Sequence, residues 1–160
     1  MELTTQTQHP HYWKMYIDGA SRNNPGIAGA GIYILKDNKP VFMQGYFLGI
    51  KTNNQAEYLA LLLGLYHISS LMGPQDLLMI ISDSLLLVQQ VKGEYAIRND
   101  YIRMAHGIAK QLLANLNYDV GHVLRDENKH ADKLANKGID EKNIVPEAFM
   151  NMLRTHGISL

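Results

Sequence analysis

The sequence predicts an α/β domain built on a mixed five-stranded sheet, three antiparallel strands followed by two parallel ones, with helices flanking it. Three observations carry this expectation. Three β-branched and aromatic runs open the chain, helical periodicity replaces them after Lys51, and Leu77 to Ile81 is an apolar run without alternation, the pattern of a strand covered on both faces.

The first run is His11 to Asp18, the second Gly29 to Lys36 and the third Val41 to Leu48. Asp37-Asn38-Lys39-Pro40 separates the last two as a turn cluster, so the three form an antiparallel meander. Leu59, Leu62, Leu63 and Tyr66 then fall at helical spacing, with Thr52 or Asn53 as N-cap and Gly73-Pro74 as the stop. Small Ala56, Ala60 and Gly64 let this helix lie close to a sheet. Beyond Leu77 to Ile81 come a short helix from Ser84 to Val91, a polar connection, a longer helix from Asn99 to Leu116 and a strand from Tyr118 to Leu124. A last core helix from Asn128 to Lys137 is expected to close on Gly138 at C′. Right-handed crossovers make strands four and five parallel to strand one. Residues 1–10 read as a flexible N-terminal segment, 11–138 as the domain, and 139–160 as a C-terminal extension. In that extension Val145, Phe149, Met152 and Leu153 mark a docked helix after Pro146.

At 160 residues and 46% hydrophobic, the chain can bury a single core without staples. Cysteine is absent, which excludes a disulfide framework, a zinc knuckle, an iron–sulfur site and cysteine catalysis. The N-terminus lacks a signal-peptide pattern and no apolar stretch reaches membrane-span length, so a soluble and cytoplasmic protein with no membrane partner is expected; a monomer is the expected state. Fifteen basic and fifteen acidic side chains balance, so any affinity for nucleic acid must come from a local patch.

The chemistry lies in four acids. Asp18 ends the first strand and Asp83 the fourth; if these strands are parallel neighbours, both carboxylates emerge at the carboxyl edge where open α/β sheets place their sites. Glu57 and Asp132 interrupt apolar helix faces near helix starts, where burying a charge is costly without compensation. Alone, Asp18 reads as an Asx turn, Asp83 as an N-cap, and Glu57 and Asp132 as acids favoured by the helix dipole. Together, four crowded carboxylates make sense as a cradle for hard cations, and a pair of such ions supports hydrolysis of a phosphodiester by water.

Tyr16-Ile17-Asp18-Gly19 with Asn24-Pro25-Gly26, then Thr52-Asn53-Asn54-Gln55-Ala56-Glu57, then Ser82-Asp83-Ser84, and Asn128-Lys129-His130-Ala131-Asp132-Lys133-Leu134-Ala135 resemble, in order, the four blocks of the type 1 ribonuclease H family. The resemblance runs from about Tyr12 to Gly138. It implies the ribonuclease H-like fold and an endonuclease for the RNA strand of RNA–DNA hybrids. It further implies Asp18, Glu57, Asp83 and Asp132 as catalytic metal ligands for two Mg2+ or Mn2+ ions when substrate is bound. Asn24, Asn54 and Gln55 match positions that contact the minor groove of the hybrid, and Thr52 and Asn99 positions that, with Asn24, grip a DNA phosphate. Structural turn and cap roles stand beside these contact roles for the asparagines.

Two departures from the family pattern matter. Val91 to Asn99 joins the short and long helices directly, where many members insert a basic helix, so weak and salt-dependent hybrid binding is expected. Many members also carry a mobile histidine before the last acid. Here His122 stands at a comparable distance but within an expected strand, and Arg125 is a phosphate-contact candidate. Another metal nuclease and a catalytically silent nucleic-acid-binding module of this fold are the alternative readings.

Overall fold

The structure, a computed structural model, describes residues 9–160. The expected N-terminal segment 1–10 lies outside the described residues in all but His9 and Pro10. Ten principal elements follow in chain order: β1 (Tyr12–Ser21), β2 (Gly26–Lys36), β3 (Lys39–Lys51), α1 (Asn53–Ile68), β4 (Leu77–Ser82), α2 (Leu85–Val91), α3 (Asp100–Leu113), β5 (Asn117–His122), α4 (Lys129–Glu141) and α5 (Glu147–Thr155).

The strands lie in the order β3-β2-β1-β4-β5. β1, β2 and β3 are antiparallel neighbours, while β4 runs parallel to both β1 and β5. β2 and β3 are joined by a two-residue turn. Asp37 and Asn38 hold positive φ there, 49° and 66°, the conformation whose twist suits a tight hairpin. β1 extends three residues past Asp18, because Gly19, Ala20 and Ser21 stay paired with Ala30, Gly29 and Ala28 of β2.

α1 lies on one face of the sheet and is buried almost all round, from Tyr58 through Leu65. Its start is set by a capping box: Thr52 Oγ1 accepts from the Gln55 amide, and Gln55 Oε1 accepts from the Thr52 amide. α3 packs its buried Ile102, Ala105, Ile108, Ala109 and Leu113 beneath α1, with Phe149 and Leu153 of α5 joining the same core. Residues 92–99 connect α2 to α3 without a helix.

α4 covers the opposite face over β1, β2 and β3. Here the expectation for Gly138 is corrected: the helix runs through it to Glu141 and ends at Lys142, which takes the left-handed conformation with φ 51°. Gly138 serves contact and not capping, since a Cβ there would lie 2.3 Å from the Tyr46 amide nitrogen of β3.

At the amino end of β1, the buried Asp76 accepts from the His11 amide (2.9 Å), Trp13 Nε1 (2.9 Å) and the Gly73 amide (2.8 Å). Burial pushes this carboxyl up, but those three donors outweigh it and hold Asp76 below the ordinary aspartate range.

Candidate active site

The last parallel pair of β1 and β4 is Ile17 with Ser82, so Asp18 and Asp83 follow side by side as those strands leave their shared ladder. Glu57 reaches them because α1 presses onto β1 at Gly19. A Cβ on Gly19 would fall 2.1 Å from the Ala56 carbonyl carbon and 2.3 Å from the Glu57 nitrogen. Carboxylate oxygens of Asp18, Glu57 and Asp83 lie within 4.8 Å of one another. Asp132, in the first turn of α4, comes to Asp18 from the other face of the sheet. It lines the same cavity, of about 320 Å³, while standing outside the 4.8 Å cluster.

The electrostatics follow from this crowding. Burial first, then the charges of Asp83 and Asp132, push Asp18 up to about 8. Burial and the charges of Asp18 and Asp83 likewise raise Glu57 well above its ordinary value, against a lowering hydrogen bond from the Gly19 amide. None of the ion pairs among the described residues involves these four acids, and Arg125 is the one cationic side chain lining their cavity. Glu57 Oε2 is buried without a hydrogen-bond partner. Hard oxygen donors, raised affinity for positive charge and an orphaned buried oxygen fit a divalent cation.

A second cavity, of about 250 Å³, is lined by Asn24, Thr52, Asn54, Gln55, Asn99 and Ile102. All five residues singled out for substrate contact thus meet in one place, and Asn54 lines both cavities. Thr52 caps α1, Asn99 Oδ1 caps α3 through the Ile102 amide, and Asn24 Oδ1 accepts from the Asn53 amide. Each side chain uses an oxygen in this way and retains an N–H or O–H for an outside acceptor. His122 ends β5 with Nε2 3.2 Å from the Asp83 carbonyl oxygen, and it lines neither cavity.

Sequence reasoning missed Asn128 as a site residue. Expected at the start of a helix, it forms no side-chain cap. Instead its buried Nδ2 donates to the Ile17 carbonyl at 2.9 Å and lies 3.5 Å from Asp83 Oδ2, tying the strand beneath Asp18 to the neighbouring acid. The available signal was an asparagine four residues before Asp132, in a segment that must cross the ends of β1 and β4.

A β3-β2-β1-β4-β5 sheet with acids at the carboxyl ends of its central strands defines a protein of the ribonuclease H-like class. The profile of the reverse transcriptase-like family matches residues 16–138. Ribonuclease HI of Halobacterium salinarum is 36% identical over 128 residues, covering 79% of this chain and 63% of that protein. The crystal structure of RNase H1 from the same archaeon has 33% identity and a TM-score of 0.77, over 81% of this chain and 98% of that one. LC11-RNase H1, solved in complex with an RNA/DNA hybrid, has 28% identity and a TM-score of 0.76 over 81% and 97% of the two chains. The chain belongs to the type 1 ribonuclease H family.

Proposed function

We propose that the protein is a metal-dependent endoribonuclease that hydrolyses the RNA strand of RNA–DNA hybrids, with Asp18, Glu57, Asp83 and Asp132 as its catalytic acids. The observation that carries the reading is the cluster of three carboxylates within 4.8 Å, whose Glu57 oxygen has no protein partner. A folded protein leaves a buried acceptor orphaned and acids mutually repelling at real cost, and a bound cation removes both. Type 1 relatives, one of them solved with an RNA/DNA hybrid, support the choice of substrate.

Asp18 and Asp83 would anchor Mg2+ or Mn2+, two ions with substrate bound. Glu57 would hold one ion near the scissile ribose, and Asp132 would complete the second. Such ions supply activation of water and stabilisation of the leaving oxygen. The chain's own contribution is placement. Asn54 and Gln55 donate to and accept from 2′-hydroxyls, which distinguish RNA from DNA. Asn24, Thr52 and Asn99 grip a phosphate of the DNA strand beside the N-termini of α1 and α3. Arg125 offers a further phosphate contact, and His122 assists product departure from the Asp83 side. The short connection between α2 and α3 leaves hybrid binding weak and salt-dependent. The protein acts as a monomer in the cytoplasm.

Incubation of the protein with end-labelled hybrid, RNA duplex and DNA duplex, with and without chelator, tests the proposal. Cleavage confined to the RNA of the hybrid and abolished by chelator is expected. An untouched hybrid with every divalent ion supplied would overturn it in favour of a silent binding module.

A further inference from the structure

The connector from Lys92 to Asn99 brings Asn99 to the second cavity, yet it has little apolar anchoring. Of residues 92–99, only Ile97 is even half-buried. Gly93, at φ 81°, turns the chain out of α2, and the Glu94 and Tyr95 amides both donate to the Gln89 carbonyl. Besides Ile97, which packs against the core, one buried side chain ties the connector down. Gln90 Oε1 accepts from the Tyr58 hydroxyl at 2.8 Å, and Gln90 Nε2 donates to the Ala96 carbonyl at 3.2 Å. Its backbone carbonyl lies 3.2 Å from His106 Nε2 of α3.

Tyr58 is next to Glu57 on α1, and Ala96 is three residues before Asn99. The amide therefore spans from the helix whose N-cap is Thr52 and whose first turn carries Asn54 and Gln55 to the segment that delivers Asn99. This job suits a carboxamide: it must accept at one end and donate at the other, which an ionised carboxylate or an aliphatic side chain does not do. Buried as it is, loss of either bond leaves an unsatisfied polar group and loosens the connector.

Resting on the hybrid-cleavage reading above, we infer that Gln90 is a positioning residue for substrate binding. Together with Tyr58, it sets Asn99 against the start of α1 through the Ala96 carbonyl, so it controls grip on the DNA-strand phosphate and not the chemistry at the acids.

Steady-state kinetics of Gln90→Leu and of the milder Tyr58→Phe on hybrid are the test, each alone and combined with Asn99→Ala. KM should rise about threefold or more with kcat within about twofold, less for Tyr58→Phe, and the increase should vanish when Asn99 is already alanine. A fall in kcat at unchanged KM, or a KM effect that persists undiminished in the Asn99→Ala background, would overturn the inference. Amide exchange at Ile102, the donor capped by Asn99, needs no substrate and separates failure of this inference from failure of the proposed activity. It should quicken in Tyr58→Phe, and in Gln90→Leu if that variant folds, while the central amides of α1 stay protected. Unchanged exchange in a folded variant would sink the bridge even if the hybrid is cut.

Discussion

Opposite ends of β1 handle the same problem, a buried aspartate, in opposite ways. Asp76 sits against the amino end and receives three N–H donors, so its carboxyl is held below the usual range. Asp18, towards the carboxyl end, faces Glu57, Asp83 and Asp132, and its carboxyl is pushed up to about 8. One end is completed by the protein. The other is left with an excess of carboxylate oxygen, and that difference separates a staple from a candidate cation site.

The largest break in this contrast comes from neutralising the carboxylate-rich end. Asp18→Asn should lower hybrid cleavage by about three orders of magnitude, equivalent to several kcal/mol of lost transition-state stabilisation. Its metal-free melting temperature should stay equal or rise, because a repulsion is removed; a large loss of stability would contradict a repulsive rim. Asp76→Ala should do the reverse. Three donors lose their acceptor, and unfolding by denaturant should show a cost of about 3 kcal/mol while the rate on hybrid at permissive temperature is preserved.

The two ends also diverge with pH and metal. A carboxyl whose native pKa is raised keeps a proton that the unfolded chain has released. Metal-free stability should therefore fall as pH rises from about 4 towards about 8, and Asp18→Asn should flatten that slope. Divalent metal at about 100 times its Kd should return about 2.7 kcal/mol near pH 8, read as a rise in melting temperature, and much less in Asp18→Asn. Asp76 acts in the other window: its contribution is complete above the unfolded aspartate value of about 3.9 and is lost as pH falls through its lower native value. The smallest effect is expected at Arg125. Arg125→Ala should raise KM a few-fold and reduce the salt slope of hybrid binding by about 1; an unchanged slope would remove Arg125 from the phosphate track.

The sheet was legible because its signals are local. The turn at Asp37-Asn38, the unalternating Leu77 to Ile81 and the Thr52 cap each follow from the residues in place, though the turn is two residues long and Lys39 and Pro40 of the expected cluster already belong to β3. Glu57 and Asp132 stood out because each interrupts an apolar helix face, and Asp18 and Asp83 because each ends a strand at one edge of the sheet. What stayed hidden depends on partners distant in sequence. Gly138 looks like a helix stop until Tyr46 is seen beside it, and Asn128 looks like a cap until the Ile17 carbonyl claims its amide. Asp76 has the composition of a turn acid, and only the return of the chain beside β1 supplies its Trp13 and His11 donors. The convergence of Asn99 with Thr52 was available from the family resemblance alone, since no periodicity relates a connector to a helix some forty-five residues earlier.

Past α4, the carbonyl of Asn143 accepts the Phe47 amide at 2.7 Å, and Asn143 Nδ2 donates to the Gly45 carbonyl at 3.2 Å. β3 is one of the two edge strands, and Val41 and Met43 are exposed along it. Asn143 therefore occupies the Gly45–Phe47 stretch of a hydrogen-bonding border that would otherwise be open to a neighbouring chain. Shortening the protein to residues 11–138 would uncork that stretch and bare the apolar bed of Phe149 and Leu153, making solubility the first property to suffer.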